Sequence, residues 1–165
     1  SWLGTPMLHV SLRNGMNCGV LTEPEERTQM ALWAIMAAPL FMSNDLAQIT
    51  PASKAILLNR ELISISQDPL GRMGRRVVHN SGTNGQIWKR ELANGDVAVA
   101  LFNAGEATLD MELSMVDIGF APYTPATFYD VYENKLLGRR IGKLAVPAVP
   151  PHGTKLIRVS FSNTL

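Results

Sequence analysis

A change of hydrophobic period near Asp68-Pro69-Leu70-Gly71 divides the chain into two regions and restricts its fold more than any other feature. Residues 22–66 read as helix and loop. Thr22 with Glu25 three positions on forms a capping-box pattern, and Pro24 with Glu23, Glu25 and Glu26 suits a first helical turn. The helix is expected to run to Ala38, with Pro39 stopping it. From Met30 onward it is apolar on every side, which predicts burial between layers. Leu40-Phe41-Met42 suits a buried parallel strand, and Thr50-Pro51 opens a second helix over Ala52 to Leu58. Helix, buried strand, helix is one unit of a parallel α/β fold and no domain by itself.

After the boundary the period becomes two. Strands are expected at Arg75–His79, Gln86–Leu92, Asp96–Asn103, Ala107–Ser114, Thr127–Tyr132, Lys143–Val146 and Thr154–Phe161. Asn84-Gly85 and Asn94-Gly95 fall in turns between such runs, because Asn-Gly readily adopts positive φ. Val97 to Phe102 is apolar on both faces, as a central strand would be, whereas Pro147, Pro150 and Pro151 belong at an edge or in a loop.

Composition narrows the function. With 46% hydrophobic residues and 18% charged ones, the chain has the makings of a packed core and no signature of disorder. No apolar run reaches the ~18 residues of a membrane span. The net charge is +1, and neither region is polarised: four Lys/Arg face six Asp/Glu in 1–70, and eleven face eight in 71–165. That balance points away from nucleic acid and anionic membranes. Cys18 is alone, so no disulfide closes within these residues. Ser1 to Val10 has neither the basic start nor the apolar run of a signal peptide, and Ser1 in place of methionine leads us to expect sequence upstream.

The candidate chemical residues are few. His9, His79 and His152 are widely spaced, with no cysteine or carboxylate at ligand spacing, and are expected to be structural; no metal site and no cofactor is expected. Asp45, just past the expected strand, stands either where functional residues gather in parallel folds or as a cap of the next turn. Arg72, Arg75 and Arg76 read as a solvated linker. These residues define an architecture and no reaction.

The run Thr28 to Leu46, containing Met30-Ala31-Leu32-Trp33-Ala34-Ile35-Met36-Ala37-Ala38-Pro39-Leu40-Phe41-Met42-Ser43-Asn44-Asp45, resembles animal α-galactosidase and α-N-acetylgalactosaminidase, glycoside hydrolase family 27. Ile65-Ser66-Gln67-Asp68-Pro69-Leu70-Gly71, Trp88-Lys89-Arg90-Glu91-Leu92, Asp96 to Asn103 and Val149-Pro150-Pro151-His152-Gly153 are similar in the same order. The resemblance implies an α/β plus all-β chain: the last units of a TIM (β/α)8 barrel in residues 1–71, followed by a C-terminal antiparallel β-sandwich in 72–165. Pro39–Ser43 would lie in the eighth barrel strand. A whole barrel takes ~250 residues, so most of it lies outside this chain.

The same resemblance implies a retaining hydrolase of terminal α-galactosides or N-acetylgalactosaminides. Such enzymes hold two carboxyl groups ~5 Å apart, one as nucleophile and one as acid/base. Both family aspartates lie on earlier strands, upstream of Trp2, so no catalytic residue is assigned here. The family's sugar-contact motif Trp-Asn-Asp-Pro-Asp-Met-Leu corresponds to Trp2-Leu3-Gly4-Thr5-Pro6-Met7-Leu8. Pro6 replaces its sugar-binding aspartate and cannot accept hydrogen bonds from hydroxyls, which leaves Met7 as an apolar wall for substrate. The stretch Ser11 to Asn17 is longer than the family's Gly-Asn loop. The family further implies an α-galactoside glycan as the parent enzyme's partner, a homodimer and a lysosomal or secreted location. A non-catalytic sandwich module is the alternative, with Trp88, Phe128, Tyr129 and Tyr132 as its possible aromatic platform. Without covering barrel strands, helix 28–38 is expected to be bare and 72–165 to behave better alone.

Overall fold

The computed structural model describes residues 21–41 and 49–161. Three helices, α1 (Glu23–Ile35), α2 (Pro51–Leu57) and α3 (Arg60–Ser66), precede eight strands: β1 (Arg75–Asn80), β2 (Gly85–Glu91), β3 (Val97–Asn103), β4 (Leu109–Ser114), β5 (Pro125–Asp130), β6 (Lys135–Ile141), β7 (Lys143–Val149) and β8 (Thr154–Ser160). Six strands form one antiparallel sheet in the order β1-β2-β3-β8-β5-β6, while β4 and β7 pair by themselves.

The six-stranded sheet is the middle of three layers. Val97, Val99 and Leu101 on one face of β3 join Phe128, Ile157 and Val159 in a core shared with Leu113, Leu144, Val146 and Val149 of the small sheet. Ala98 and Ala100 point the other way, with Leu156, and pack against Met30, Ala31, Ala34 and Ile35 of α1. Period-two alternation thus sends every other β3 residue to a different core, which is why both faces of this central strand are apolar. Alanines on the helix side leave room for close packing of α1. Buried Asn103 ties the small sheet to β3 by donating from Nδ2 to Val149 O at 3.0 Å.

Most expected elements are present, with informative differences. Helix α1 ends at Ile35 rather than Ala38, because Ala37 turns left-handed (φ 52°) before Pro39 can act. Ala38 N–H donates to Trp33 O at 3.0 Å and Ala37 N–H to Ala34 O at 3.3 Å, a Schellman pattern that ends the helix. Glu25 accepts from the Thr22 amide at 2.7 Å and hydroxyl at 2.8 Å, so the expected N-terminal cap is there. The barrel strand expected at Pro39–Ser43 is not formed over 39–41, and Phe41 is 61% exposed; residues 42–43 lie outside the described residues. A parallel strand needs neighbours for its amides, and none lies beside this segment among the described residues. Helix α1 is not bare: the sheet covers one of its faces.

Two elements had no expectation. Helix α3 starts at Asn59, whose Oδ1 accepts from Leu62 N at 2.9 Å. Strand β6 is an exposed edge carrying Gly138 at φ 93°, so it has no buried face to write an alternating pattern. The prolines are where expected: β7, with Pro147, pairs with β4 alone.

Candidate functional site

Met7 with its motif at residues 2–8, Asp45, His9 and Cys18 all lie outside the described residues. Two clusters of ionisable groups among the described residues fasten helices to sheet. Arg27, on the first turns of α1, bonds Glu133 Oε1 through Nη1 at 2.9 Å and Glu23 Oε1 through Nη2 at 2.9 Å. Its guanidinium lies 5.2 Å from the Tyr132 ring centroid, and the Tyr132 hydroxyl donates to the Arg27 carbonyl. Lys155 Nζ adds Asp130 at 3.6 Å and Glu133 at 3.8 Å. Beside them opens a cleft of about 290 Å³ lined by Glu23, Pro24, Arg27, Ala148, Pro150, Thr154 and Lys155.

Glu23 lines that cleft and Glu133 stands in the cluster beside it, but neither brings the chemistry of glycoside hydrolysis. A general acid needs a carboxyl group held protonated near neutral pH. The Arg27 hydrogen bond instead holds Glu133 below the ordinary carboxylate range, the reverse of what an acid requires. Burial of the Tyr132 ring raises its phenol well above the usual tyrosine range, so it stays neutral. In the second cluster, Arg158 Nε reaches Asp96 Oδ2 at 2.7 Å and Arg158 Nη1 reaches Glu61 Oε2 at 3.1 Å, linking α3 to β8 and the β2–β3 turn.

The largest fully buried side chain is Arg90 on β2, 1% exposed. Nη1 donates to Ala34 O near the end of α1 and, at 3.2 Å, to Ser66 O at the end of α3. Its positive charge meets the negative ends of two helix dipoles. Burial lowers its pKa, and nearby Asp68 opposes that shift. Among the described residues its Nε has no partner. Gly74 completes the clamp: its N–H donates to Ile35 O at 2.8 Å, and a Cβ there would lie 2.4 Å from Lys89 O. Asp68 accepts from Leu70 N at 3.0 Å and Ala93 N at 3.0 Å, seating the Asp68-Pro69-Leu70-Gly71 turn on the β2–β3 hairpin. Charged residues flanked by apolar ones, as in Trp88-Lys89-Arg90, were the only sequence signal of this anchor. Its targets are 24 and 56 residues away.

The remaining candidates are dispersed. Arg72, Arg75 and Arg76 are exposed; Arg72 lies 3.6 Å from Glu91 and Arg76 5.9 Å from the ring of Trp88, its cross-strand neighbour. His79 is exposed, and His152 Nε2 lies 3.1 Å from Glu106 Oε2. No three His, Cys, Asp or Glu side chains among the described residues are grouped to hold a metal ion. Phe128 is fully buried and Trp88, Tyr129 and Tyr132 are partly buried, so none is an open platform for a sugar ring.

Comparison with known proteins agrees with this architecture. Residues 15–68 match the family described as "Alpha galactosidase A", and residues 82–159 match the "Alpha galactosidase C-terminal beta sandwich domain". The chain is 51% identical over 82 residues to α-galactosidase A of Homo sapiens, covering 50% of this chain and 19% of that protein. With α-N-acetylgalactosaminidase of Gallus gallus it shares 37% identity over 135 residues, 81% of this chain and 33% of the relative. The crystal structure of α-galactosidase I from Mortierella vinacea superposes with a TM-score of 0.84 at 27% identity, over 96% of this chain and 39% of that one. A GH27 β-L-arabinopyranosidase from Geobacillus stearothermophilus gives 0.84 at 25% identity, over 97% and 37%. The chain therefore spans well under half the length of these relatives. Its helical layer corresponds to part of their barrel and its strands to their C-terminal sandwich. Collinear motifs, three-layer packing and two successive family matches together place the chain in the α-galactosidase family, glycoside hydrolase family 27.

Proposed function

We propose that this chain is the closing part of a retaining glycoside hydrolase that removes terminal α-linked galactose or N-acetylgalactosamine, and that residues 1–165 alone do not turn over substrate. The division at 71/72, Met7 as a wall of the sugar pocket, a homodimeric parent and a lysosomal or secreted location belong to the same reading. One observation carries it: the family's motifs run in order from Thr28 to Gly153, while the described carboxylates are engaged by cations, by amides or, for buried Glu26, by the Ser53 hydroxyl at 2.8 Å. Residues 1–20 contain no Asp or Glu and 42–48 only Asp45, so a catalytic pair would have to recruit a second, described carboxylate. Glu23 and Glu133 share Arg27, Asp96 and Glu61 share Arg158, and Asp68 is taken up by the turn it caps. A reaction that needs one protonated and one ionised carboxyl group ~5 Å apart is not served by such pairs.

Purified 1–165 should therefore leave an aryl α-galactoside and an aryl α-N-acetylgalactosaminide unhydrolysed. Turnover that follows the protein through successive columns, and is lost in an Asp45→Asn variant, would overturn the proposed inactivity.

A further inference from the structure

Of the three Asn-Gly pairs, Asn14-Gly15 lies outside the described residues, and Asn84-Gly85 and Asn94-Gly95 share a sequence but not an environment. At Asn94 both ends of the side-chain amide are occupied: Nδ2 donates to Asp96 Oδ2 at 2.9 Å, and Oδ1 accepts from Asp96 N at 3.1 Å. The following amide, Gly95 N–H, donates to Leu92 O at 3.0 Å. Asn84 is exposed in the β1–β2 turn at φ 57°, and its side-chain amide makes no hydrogen bond to a described residue. Its backbone carbonyl accepts from Ala104 N at 3.1 Å, and Gly85, paired with Asn80 in the β1–β2 ladder, also has its N–H 3.4 Å from Thr83 Oγ1.

From this contrast we infer that Asn84 is a spontaneous modification site, losing its side-chain amide by cyclisation onto Gly85 while Asn94 is protected. Deprotonated Gly85 N attacks Asn84 Cγ; the new N–Cγ bond forms, the Cγ–Nδ2 bond breaks, and Nδ2 leaves as ammonia after taking up a proton. Water then opens the succinimide at either carbonyl, giving aspartate or isoaspartate. The net change is amide plus water to carboxylate plus ammonium, with no redox partner. Gly85 favours the closure because it has no side chain to crowd the attacking nitrogen. At Asn94 the same reaction must first break two side-chain hydrogen bonds that the exposed Asn84 amide does not make to the described residues, which slows it on the order of tenfold or more. The isoaspartate product adds a main-chain methylene at the β1–β2 turn, next to the Asn80–Gly85 pairing that closes the hairpin.

The test is to incubate the full chain in mildly alkaline buffer, folded and in denaturant, and to follow the peptides containing Asn84 and Asn94 by mass and isoaspartate content. In the folded chain the Asn84 peptide should convert about tenfold faster or more, and the two rates should converge on unfolding. Equal folded rates, a faster Asn94, or no conversion of folded Asn84 would overturn the inference. So would the same preference in denaturant, since it would then come from local sequence. An Asn84→Gln variant should abolish the modified species without changing the Asn94 rate.

Discussion

Ala37 carries a left-handed backbone with a β-carbon attached, where a helix of this design normally has glycine. The left-handed conformation costs a non-glycine residue ~1 kcal/mol, partly offset by the smaller unfolded-state freedom of alanine. Ala37→Gly should therefore stabilise the chain by ~0.5–1 kcal/mol, read as a shifted urea midpoint at unchanged slope. A larger effect of opposite sign is expected at Arg90. Arg90→Met removes a buried cation from two helix-end carbonyls and should cost ~2–4 kcal/mol, while Arg90→Lys, lacking the planar fork, should recover only part of it. Chemical denaturation of the three proteins measures both. The sequence displays Arg90 plainly, yet nothing in it says that Ala34 and Ser66 would arrive beside it. The partially buried Trp88 and the turn at Asp68 were likewise visible as residues and not as contacts.

At the level of elements, the helical layer and the sandwich share a core. Thr28 Oγ1 donates to His152 O at 2.7 Å and meets Thr154 Oγ1 at 2.9 Å, while Asn59 Nδ2 donates to Val131 O at 2.9 Å. Removing residues 1–71 would uncover Leu92, Val131 and Leu156, each worth ~1.5–3 kcal/mol of burial. The segment 72–165 should melt at a lower temperature than the full chain, bind a hydrophobic dye and associate in sedimentation, which replaces the expectation that it behaves better alone. Helix α1 and strands β1, β2, β3 and β8 were legible because caps, turns and a buried face left periodic marks. Strand β6 was not, because an edge strand with no buried face is held by backbone pairing to β5, and backbone pairing is blind to side-chain pattern.

Over the whole molecule, the resolved shifts give stability a definite pH dependence. Glu133 and Glu25 titrate below the ordinary glutamate value of 4.5, the first through Arg27 and the second through the Thr22 amide. Their contribution is complete above that value and drains away as the pH falls through the lowered folded-state values. Both groups are largely solvated, so each adds little, and Glu133→Gln should weaken the acid side of the stability profile modestly and mainly at low salt. Tyr132 acts with the opposite sign: its raised pKa withholds stability only as the pH climbs past 10.0, where the unfolded phenol ionises. Denaturation midpoints across the acid and alkaline limbs check both. What the amino-acid order determined by itself was local and periodic: caps, turns, the switch from helical to alternating pattern, and the family motifs that follow from them. What only the tertiary structure decided was the partner of each polar group and the layer on each face of the central sheet. Those depend on which distant segments meet across the core, and a side chain carries no record of its neighbour until the chain has folded.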